Sequence, residues 1–303
     1  LLTTYVKNQG ECWTYALDGI ARFFERVLSS TVESDEEEPE LTELAGAEFP
    51  PRMRQLGVRT AELHRCLESI EGSDFAPEPF TLLYQRSLYQ TMRTLLRRTE
   101  REVTNKLPDL PAEIRAQALE WFSRTPRILA AYSVLLKRKI TATKTRVHGD
   151  YHLGQVLNTG NDFIILDFEG EPRKTLGERL LKRSPLVDVA GMVRSFDYAV
   201  EVSLLQQKAQ DQDRLQPWAL KWLELVTGEF LEGYQTTAAG ASFLPPTAGE
   251  FDALLKLFAL DKAVYEIGYE LNYRPDFLRI PLAAVNRLVE GGELAMHHHS
   301  ETA

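Results

Sequence analysis

The chain has 303 residues, is 44% hydrophobic and 26% charged, and carries a formal net charge of −9. This is the composition of an ordinary soluble globular protein with room for a sizeable core, in one large domain or two modest ones. No apolar run approaches the ~18 residues needed to span a bilayer, and the opening LLTTYVKNQGECWTY lacks the basic-then-apolar order of a signal peptide. The two cysteines, Cys12 and Cys66, suit a reducing compartment and read as small buried apolar groups, not as a disulfide framework or a zinc site. A cytoplasmic protein without a membrane partner is the expectation.

Residues 12–28, CWTYALDGIARFFERVL, read as an amphipathic helix with Trp13, Leu17, Ile20, Phe24 and Val27 on one face. Residues 31–50 hold eight of the acids and no base, and are expected to form a solvated acidic loop. The rest of the chain is close to neutral, so there is no electrostatic case for nucleic-acid binding. RTAELHRCLESI at 59–70 predicts a second helix, capped by Thr60, with Leu63, Cys66, Leu67 and Ile70 on its apolar face. GSDFAPEPF breaks it. Residues 80–105 carry a long helical pattern, and 111–140 one or two further helices interrupted near Pro126.

At HLGQVLN, TGND and DFIILDF the character changes to two short extended runs around a Gly-Asn turn, the pattern of a β-hairpin. Helical patterns then return in VDVAGMVRSFDYAVEVSLLQQKAQ, in PWALKWLELVTGEFLEGYQTT and in FDALLKLFALDKAVYEIGYELN. RPDFLRIPLAAVNRLVEGG opens with a proline turn and ends in helix, and residues 291–303, with three histidines, read as a disordered tail. Trp218 and Trp222, four residues apart on a helix, read as core. The chain is thus mainly α with one small β-hairpin element.

The hairpin is where chemistry gathers. Asp150 follows His148-Gly149 on a loop, Gln155 offers an amide oxygen five residues on, and Asp167 ends the second run, with Glu169 two residues later on the same side by strand alternation. Phosphoryl transfer needs a carboxylate to orient the attacking hydroxyl and oxygen ligands to hold Mg²⁺ against nucleotide phosphates. Ordinary turn acids can also stand at such positions. A zinc pair of His148 and His152 is disfavoured, because Gly149 and Gly154 argue against the helix it would need.

At these residues, HGDYHLGQVL and DFEGEP, the sequence resembles the aminoglycoside phosphotransferase-like kinases, most closely their maltokinase branch, often fused to trehalose synthase. GECWTYALDGIARFFERV, DVAGMVRSFDYA and DKAVYEIGYELNYRPDFLRIPL resemble further helices of that family, so the likeness covers nearly all of 1–290. It implies a protein-kinase-like C-lobe, comprising a helical part (1–145), the catalytic loop and hairpin (146–172) and a helical sugar-binding part (173–290). A strand-rich N-lobe with a glycine loop and a phosphate-reaching lysine is not found before Asp150, so the chain reads as a C-lobe whose N-lobe is absent. Carried over, the resemblance implies Asp150 as catalytic base, His148 holding its loop with His152 in support, and Gln155 and Asp167 as Mg²⁺ ligands, with Glu169 as a further ligand or metal-shell partner. It also implies ATP as donor, maltose as acceptor giving maltose 1-phosphate for α-glucan synthesis, and trehalose synthase as a fusion or complex partner.

A sugar pocket needs planar hydrogen-bonding groups beside aromatic faces. Arg194 and Asp197 can line one, as can Lys262, Tyr265, Glu266 and Tyr269, which share a helix face. Two alternatives stay open: another small-molecule kinase of the same fold, acting on an aminoglycoside, choline or homoserine-like hydroxyl, and a non-catalytic kinase-derived binding module.

Overall fold

The computed structural model describes residues 5–30, 40–171 and 174–290. The elements run α1 (Cys12–Ser29), α2 (Leu41–Ala45), α3 (Phe49–Ser69), β1 (Glu78–Pro79), α4 (Leu82–Lys106), α5 (Ala112–Tyr132), α6 (Val134–Lys137), β2 (Thr143–Lys144), β3 (Val156–Asn158), β4 (Phe163–Ile165), α7 (Leu176–Arg179), α8 (Leu186–Leu205), α9 (Ala209–Ala238), α10 (Ala248–Tyr273) and α11 (Arg279–Glu290). Among the described residues the β structure consists of two antiparallel two-stranded sheets, β1–β2 and β3–β4, and no helix is long and apolar enough to cross a membrane.

α8 is the axis of the fold. Sixteen of its 20 residues are buried, and it packs against α1, α9, α10 and α11. A helix covered on all sides belongs to a core, so every polar group on it must find a partner inside the protein. Among its buried polar residues, Asp188, Arg194, Ser195 and Asp197 all reach other elements.

α3 and α9 cross with their backbones almost touching. A Cβ added at Gly57 would lie 2.0 Å from the Phe230 carbonyl oxygen, and one at Gly233 would lie 2.1 Å from that of Arg54. The crossing fixes which face of α3 is buried: Met53, Leu56, Gly57, Thr60, Ala61 and His64. The expected face is therefore rotated. Cys66 is exposed and Ile70 is 37% exposed, while Thr60 lies inside the helix and not at its cap. Periodicity misplaced the face because two of its inward residues, Thr60 and His64, are polar, and a third, Gly57, has no side chain.

Two other expectations are corrected. The acidic segment is not a loop throughout: residues 31–39 lie outside the described residues, but Leu41–Ala45 is helical and α3 starts at Phe49, with Leu44, Ala45 and Phe49 buried. Apolar residues spaced at three or four were hidden by the surrounding charge. Pro126 does not interrupt its helix; α5 runs through it and ends at Tyr132, since one proline removes one hydrogen bond without forcing a break when both flanks are packed. The expectation of a disordered tail at 291–303 falls outside the described residues. By contrast, the helices at 12–28 and 80–105, those after the hairpin, and the buried placement of Trp222 and Cys12 match the sequence reading.

Alanine in a helix interior normally gains about 1 kcal/mol over glycine, whereas overpacking typically costs about 1–3 kcal/mol. Gly57→Ala is expected to be destabilising because the neighbouring atoms are backbone, and denaturant unfolding should show a lower midpoint. A higher midpoint would mean that the α3–α9 crossing is looser than described.

Candidate active site

The hairpin pairs Val156 with Ile165, Leu157 with Ile164 and Asn158 with Phe163. Its tip is fastened to α3. Arg59 forms a two-pronged bond to the Asp162 carboxylate, at 2.8 and 2.9 Å, and Arg52 donates to Asn158 Oδ1 at 2.9 Å while its guanidinium lies over the Phe163 ring. The Arg59 bond holds the Asp162 carboxyl below its ordinary range. On the other edge, Asn158 N donates to Gly10 O and Gln9 N to Asn158 O, so residues before α1 extend the ladder.

The loop carrying Asp150 is held from beneath by α8. The Asp188 carboxylate accepts from the backbone N–H of His148 at 2.7 Å and from that of Gly149 at 2.9 Å. Gly149 has φ +86°, a conformation that glycine adopts without strain. Asp188 also meets His64 Nε2 at 3.2 Å, and His64 Nδ1 meets the Tyr234 hydroxyl at 3.0 Å. An ionised carboxylate only accepts, so His64 Nε2–H donates to it and the phenol donates to Nδ1. Burial alone would push the Asp188 carboxyl up. The His64 hydrogen bond, the electrostatic influence of the His64 and His148 imidazoles and the Gly149 amide outweigh it, and the group lies below its ordinary value. Thr60 joins the same floor, its hydroxyl 2.8 Å from that of Tyr151, and Ser195 Oγ accepts from Leu153 N at 3.1 Å.

His148 spans the two halves of the site. Its Nε2–H donates to the Leu166 carbonyl at 2.6 Å, and its Nδ1 accepts the Asp150 N–H at 3.4 Å. One buried imidazole thus ties the backbone at Asp150 to the residue before Asp167. Gln155 Nε2 donates to Asp167 Oδ2 at 3.0 Å, so an amide and a carboxylate stand side by side at the mouth. Asp167 has φ 60°, the one positive value at a non-glycine among the described residues. Such strain is stored at functional positions more often than elsewhere.

β4 ends at Ile165, and Phe168–Glu169 form a turn. Strand alternation therefore does not extend to Asp167 and Glu169, because both lie beyond the end of the strand. Glu169 is exposed and its carbonyl accepts from Arg179. His152 accepts from Gly154 N at 3.1 Å. Burial holds its imidazole below the ordinary value; the Asp150 carboxylate opposes this, and the charges of Lys262 and His148 add to it.

Lys262 therefore lies within electrostatic reach of His152, with its ammonium 5.1 Å from the Tyr265 ring centre. Tyr269, two turns along α10 from Lys262, packs against Tyr273. Arg194 and Asp197 are not at an open wall: Arg194 is 2% exposed, bonded to Glu266 at 2.6 Å and to Asp197. Arg287 of α11 closes the network through Asp197 and Glu201. These groups, Glu266 included, spend their hydrogen bonds joining α8, α10 and α11. Sequence reasoning missed Asp188, His64 and Thr60. The one available signal was an acid inside the apolar run PLVDVAGMV, where an unpartnered charge would not be buried.

The family described as the phosphotransferase enzyme family matches residues 26–223. The chain is 27% identical over 137 residues to a glucosamine kinase of Streptacidiphilus jiangxiensis, covering 45% of this chain and 29% of that one. It is likewise 27% identical over 150 residues to a glucosamine kinase of Mycolicibacterium smegmatis, covering 48% and 34%. The fold is similar, at a TM-score of 0.73 and 23% identity, to a glucosamine kinase solved with glucosamine, ADP and inorganic phosphate, over 94% of this chain and 58% of that chain. The chain therefore spans well under two thirds of the relatives it matches. These likenesses overturn the expectation of maltose as acceptor and of trehalose synthase as partner: the relatives are named for glucosamine.

Asp188→Ala would leave two backbone N–H groups and the His64 N–H without their acceptor. At about 1–3 kcal/mol for each buried unsatisfied donor, the loss should be about 3 kcal/mol or more in urea unfolding; a loss under 1 kcal/mol would contradict the clamp. Because the folded Asp188 carboxyl is depressed, its contribution is present above the ordinary aspartate value of about 4 and is lost as pH falls through the lower folded one. The stability gap between wild type and Asp188→Ala should accordingly narrow in acid.

Proposed function

The chain belongs to the phosphotransferase enzyme family, and on that premise we propose that it is a sugar kinase, transferring the γ-phosphoryl group of ATP to a hydroxyl of a glucosamine-class sugar. The observation that carries the reading is the His148 bridge. It holds the Asp150 loop and the Gln155–Asp167 pair on either side of one buried ring, the arrangement expected of an acid that addresses the acceptor and ligands that address the donor's metal. The named substrates of the similar kinases supply the acceptor class.

The donor set suits magnesium. Mg²⁺ takes one or two protein oxygens, keeps waters and fills its remaining positions with phosphate oxygens. Gln155 Oε1 and the Asp167 carboxylate are two such oxygens, and among the described residues no cluster of three or more His, Cys, Asp or Glu competes as a tighter metal cage. In this reading Gln155 and Asp167 hold the ion and Glu169 stands in its outer shell. Bound Mg²⁺ supplies charge neutralisation at the β- and γ-phosphates.

The residues of the chain do the rest. Asp150 accepts a hydrogen bond from the acceptor hydroxyl, aims its oxygen at the phosphorus and takes its proton as the new bond forms. Asp188 keeps the loop beneath it from shifting, a condition for in-line attack. Lys262, Tyr265 and Tyr269 face the acceptor. Arg194, Asp197 and Glu266 serve the acceptor indirectly, by fixing α8 and α10 against each other.

With MgATP and glucosamine, Asp150→Asn should reduce turnover by about 10²–10⁴-fold, the usual worth of a positioned general base, with little change in nucleotide affinity. Asp167→Asn should remove the Mg²⁺ dependence of nucleotide binding measured by titration. Full turnover in Asp150→Asn would sink the assignment of the base.

A further inference from the structure

His152 stands between two anchored neighbours. Tyr151 and Leu153 are both buried, Tyr151 with its hydroxyl against that of Thr60 and Leu153 with its N–H on Ser195. The backbone of His152 is extended, at φ −158° and ψ 173°, and in extended chain successive side chains take opposite faces. The half-buried His152 ring therefore rises from the floor on which its neighbours rest. Its Nδ1 accepts the Gly154 N–H at 3.1 Å, which leaves the ring proton on Nε2. Among the described residues Nε2 has no hydrogen-bond partner, and it is open to solvent.

Gly154 shows what lies beside that ring. A Cβ added there would be 2.9 Å from His152 Cε1 and 4.0 Å from Glu11 Oε2. The imidazole and the Glu11 carboxylate thus border the one space that a side chain at 154 would enter. Glu11 is exposed, immediately precedes α1 and makes no side-chain capping bond to it. Its backbone bridges Leu157 of β3, and α1 packs on the helical turn Leu153–Gln155. Among the described residues its carboxylate carries no hydrogen bond or ion pair. An N–H donor and a carboxylate, bonded neither to each other nor to anything else described, therefore flank the stretch of chain between Asp150 and Gln155.

We propose that His152 Nε2–H and the Glu11 carboxylate together hold a hydroxyl of a substrate sugar ring, the N–H donating to its oxygen and the carboxylate accepting its proton. A hydroxyl is the group that uses both. An ammonium would leave the N–H without an acceptor, and a phosphoryl oxygen would meet the carboxylate as a like charge. This rests on the sugar-kinase reading of the same site and adds residues that grip the ring. The acceptor sugar is the first source of that hydroxyl, because Asp150 stands two residues before His152; the ribose of the nucleotide has the same chemistry. Both Asp150 and Glu11 act electrostatically on the His152 imidazole, in keeping with that placement.

The test is calorimetric titration of the full chain with glucosamine and, separately, with MgADP. His152→Asn keeps an oxygen near the place of Nδ1 to accept the Gly154 N–H and lacks a donor at the place of Nε2, whereas His152→Gln reaches that place with an amide N–H. His152→Asn and Glu11→Ala should each weaken glucosamine binding about tenfold, with His152→Gln closer to the unaltered chain and melting temperatures unchanged. The same losses for MgADP alone would assign the hydroxyl to the ribose. If His152→Asn and Glu11→Ala bind both ligands as the unaltered chain does, the pair holds no hydroxyl and the proposal falls. It falls too if His152→Asn weakens binding only together with the melting temperature, for His152 then supports its loop and nothing more. Should His152→Asn fail to fold, Glu11→Ala decides alone. Turnover with MgATP and glucosamine, measured in parallel, separates the two readings. Turnover in a chain whose variants bind normally keeps the kinase and removes the hydroxyl grip. Weakened binding in the variants of a chain that does not turn over does the reverse, and an unaltered chain that binds neither ligand removes both.

Discussion

One buried carboxylate organises this protein. Asp188 gives up water to accept two backbone N–H groups of the Asp150 loop and the imidazole N–H of His64. An isolated carboxylate could not be buried there ionised. Three donors make it tolerable, and His64 is held in turn by Tyr234. The chain of contacts runs α9, α3, α8, loop, and each link is a buried, hydrogen-bonded side chain. The loop conformation before Asp150 is thus decided by the packing of three helices that lie outside the site.

The same helix that carries Asp188 carries the other fixed points. Ser195 caps the Leu153 amide, and Arg194 and Asp197 tie α8 to α10 and α11. α10 brings Lys262 toward His152. The hairpin enters from the opposite side, gripped by Arg52 and Arg59 of α3. Two halves of a site made from distant segments meet at His148, which explains why a small β element can hold a defined geometry on a largely helical scaffold.

Much of this was legible in the sequence, and the failures share a physical cause. The hairpin, the long helices and the grouping of Asp150, Gln155 and Asp167 near one another follow from local patterns, because turn chemistry and periodicity are local. The face of α3 was misread because its inward residues are Thr60, His64 and Gly57, chosen for tertiary contacts that hydrophobicity does not register. Cys66 was read as buried from residue type alone. Glu169 was misplaced because strand alternation stops where β4 ends at Ile165. Arg194 and Asp197 drew notice as groups that can line a sugar pocket because their partners, Glu266 and Arg287, are 72 and 90 residues away. The acceptor was misread because the resemblance rested on the loop and hairpin motifs alone, while the similar kinases are named for glucosamine.

The account depends on the Asp150 loop being held as rigidly as the core beneath it. The direct measurement is native-state hydrogen exchange at the His148 and Gly149 amides, the two that donate to Asp188. If the clamp is as described, both exchange only through global unfolding, with the protection of the central residues of α8. Exchange on the timescale of open loops, while α8 stays protected, would show that Asp188 does not hold the loop and that the site is not built from below.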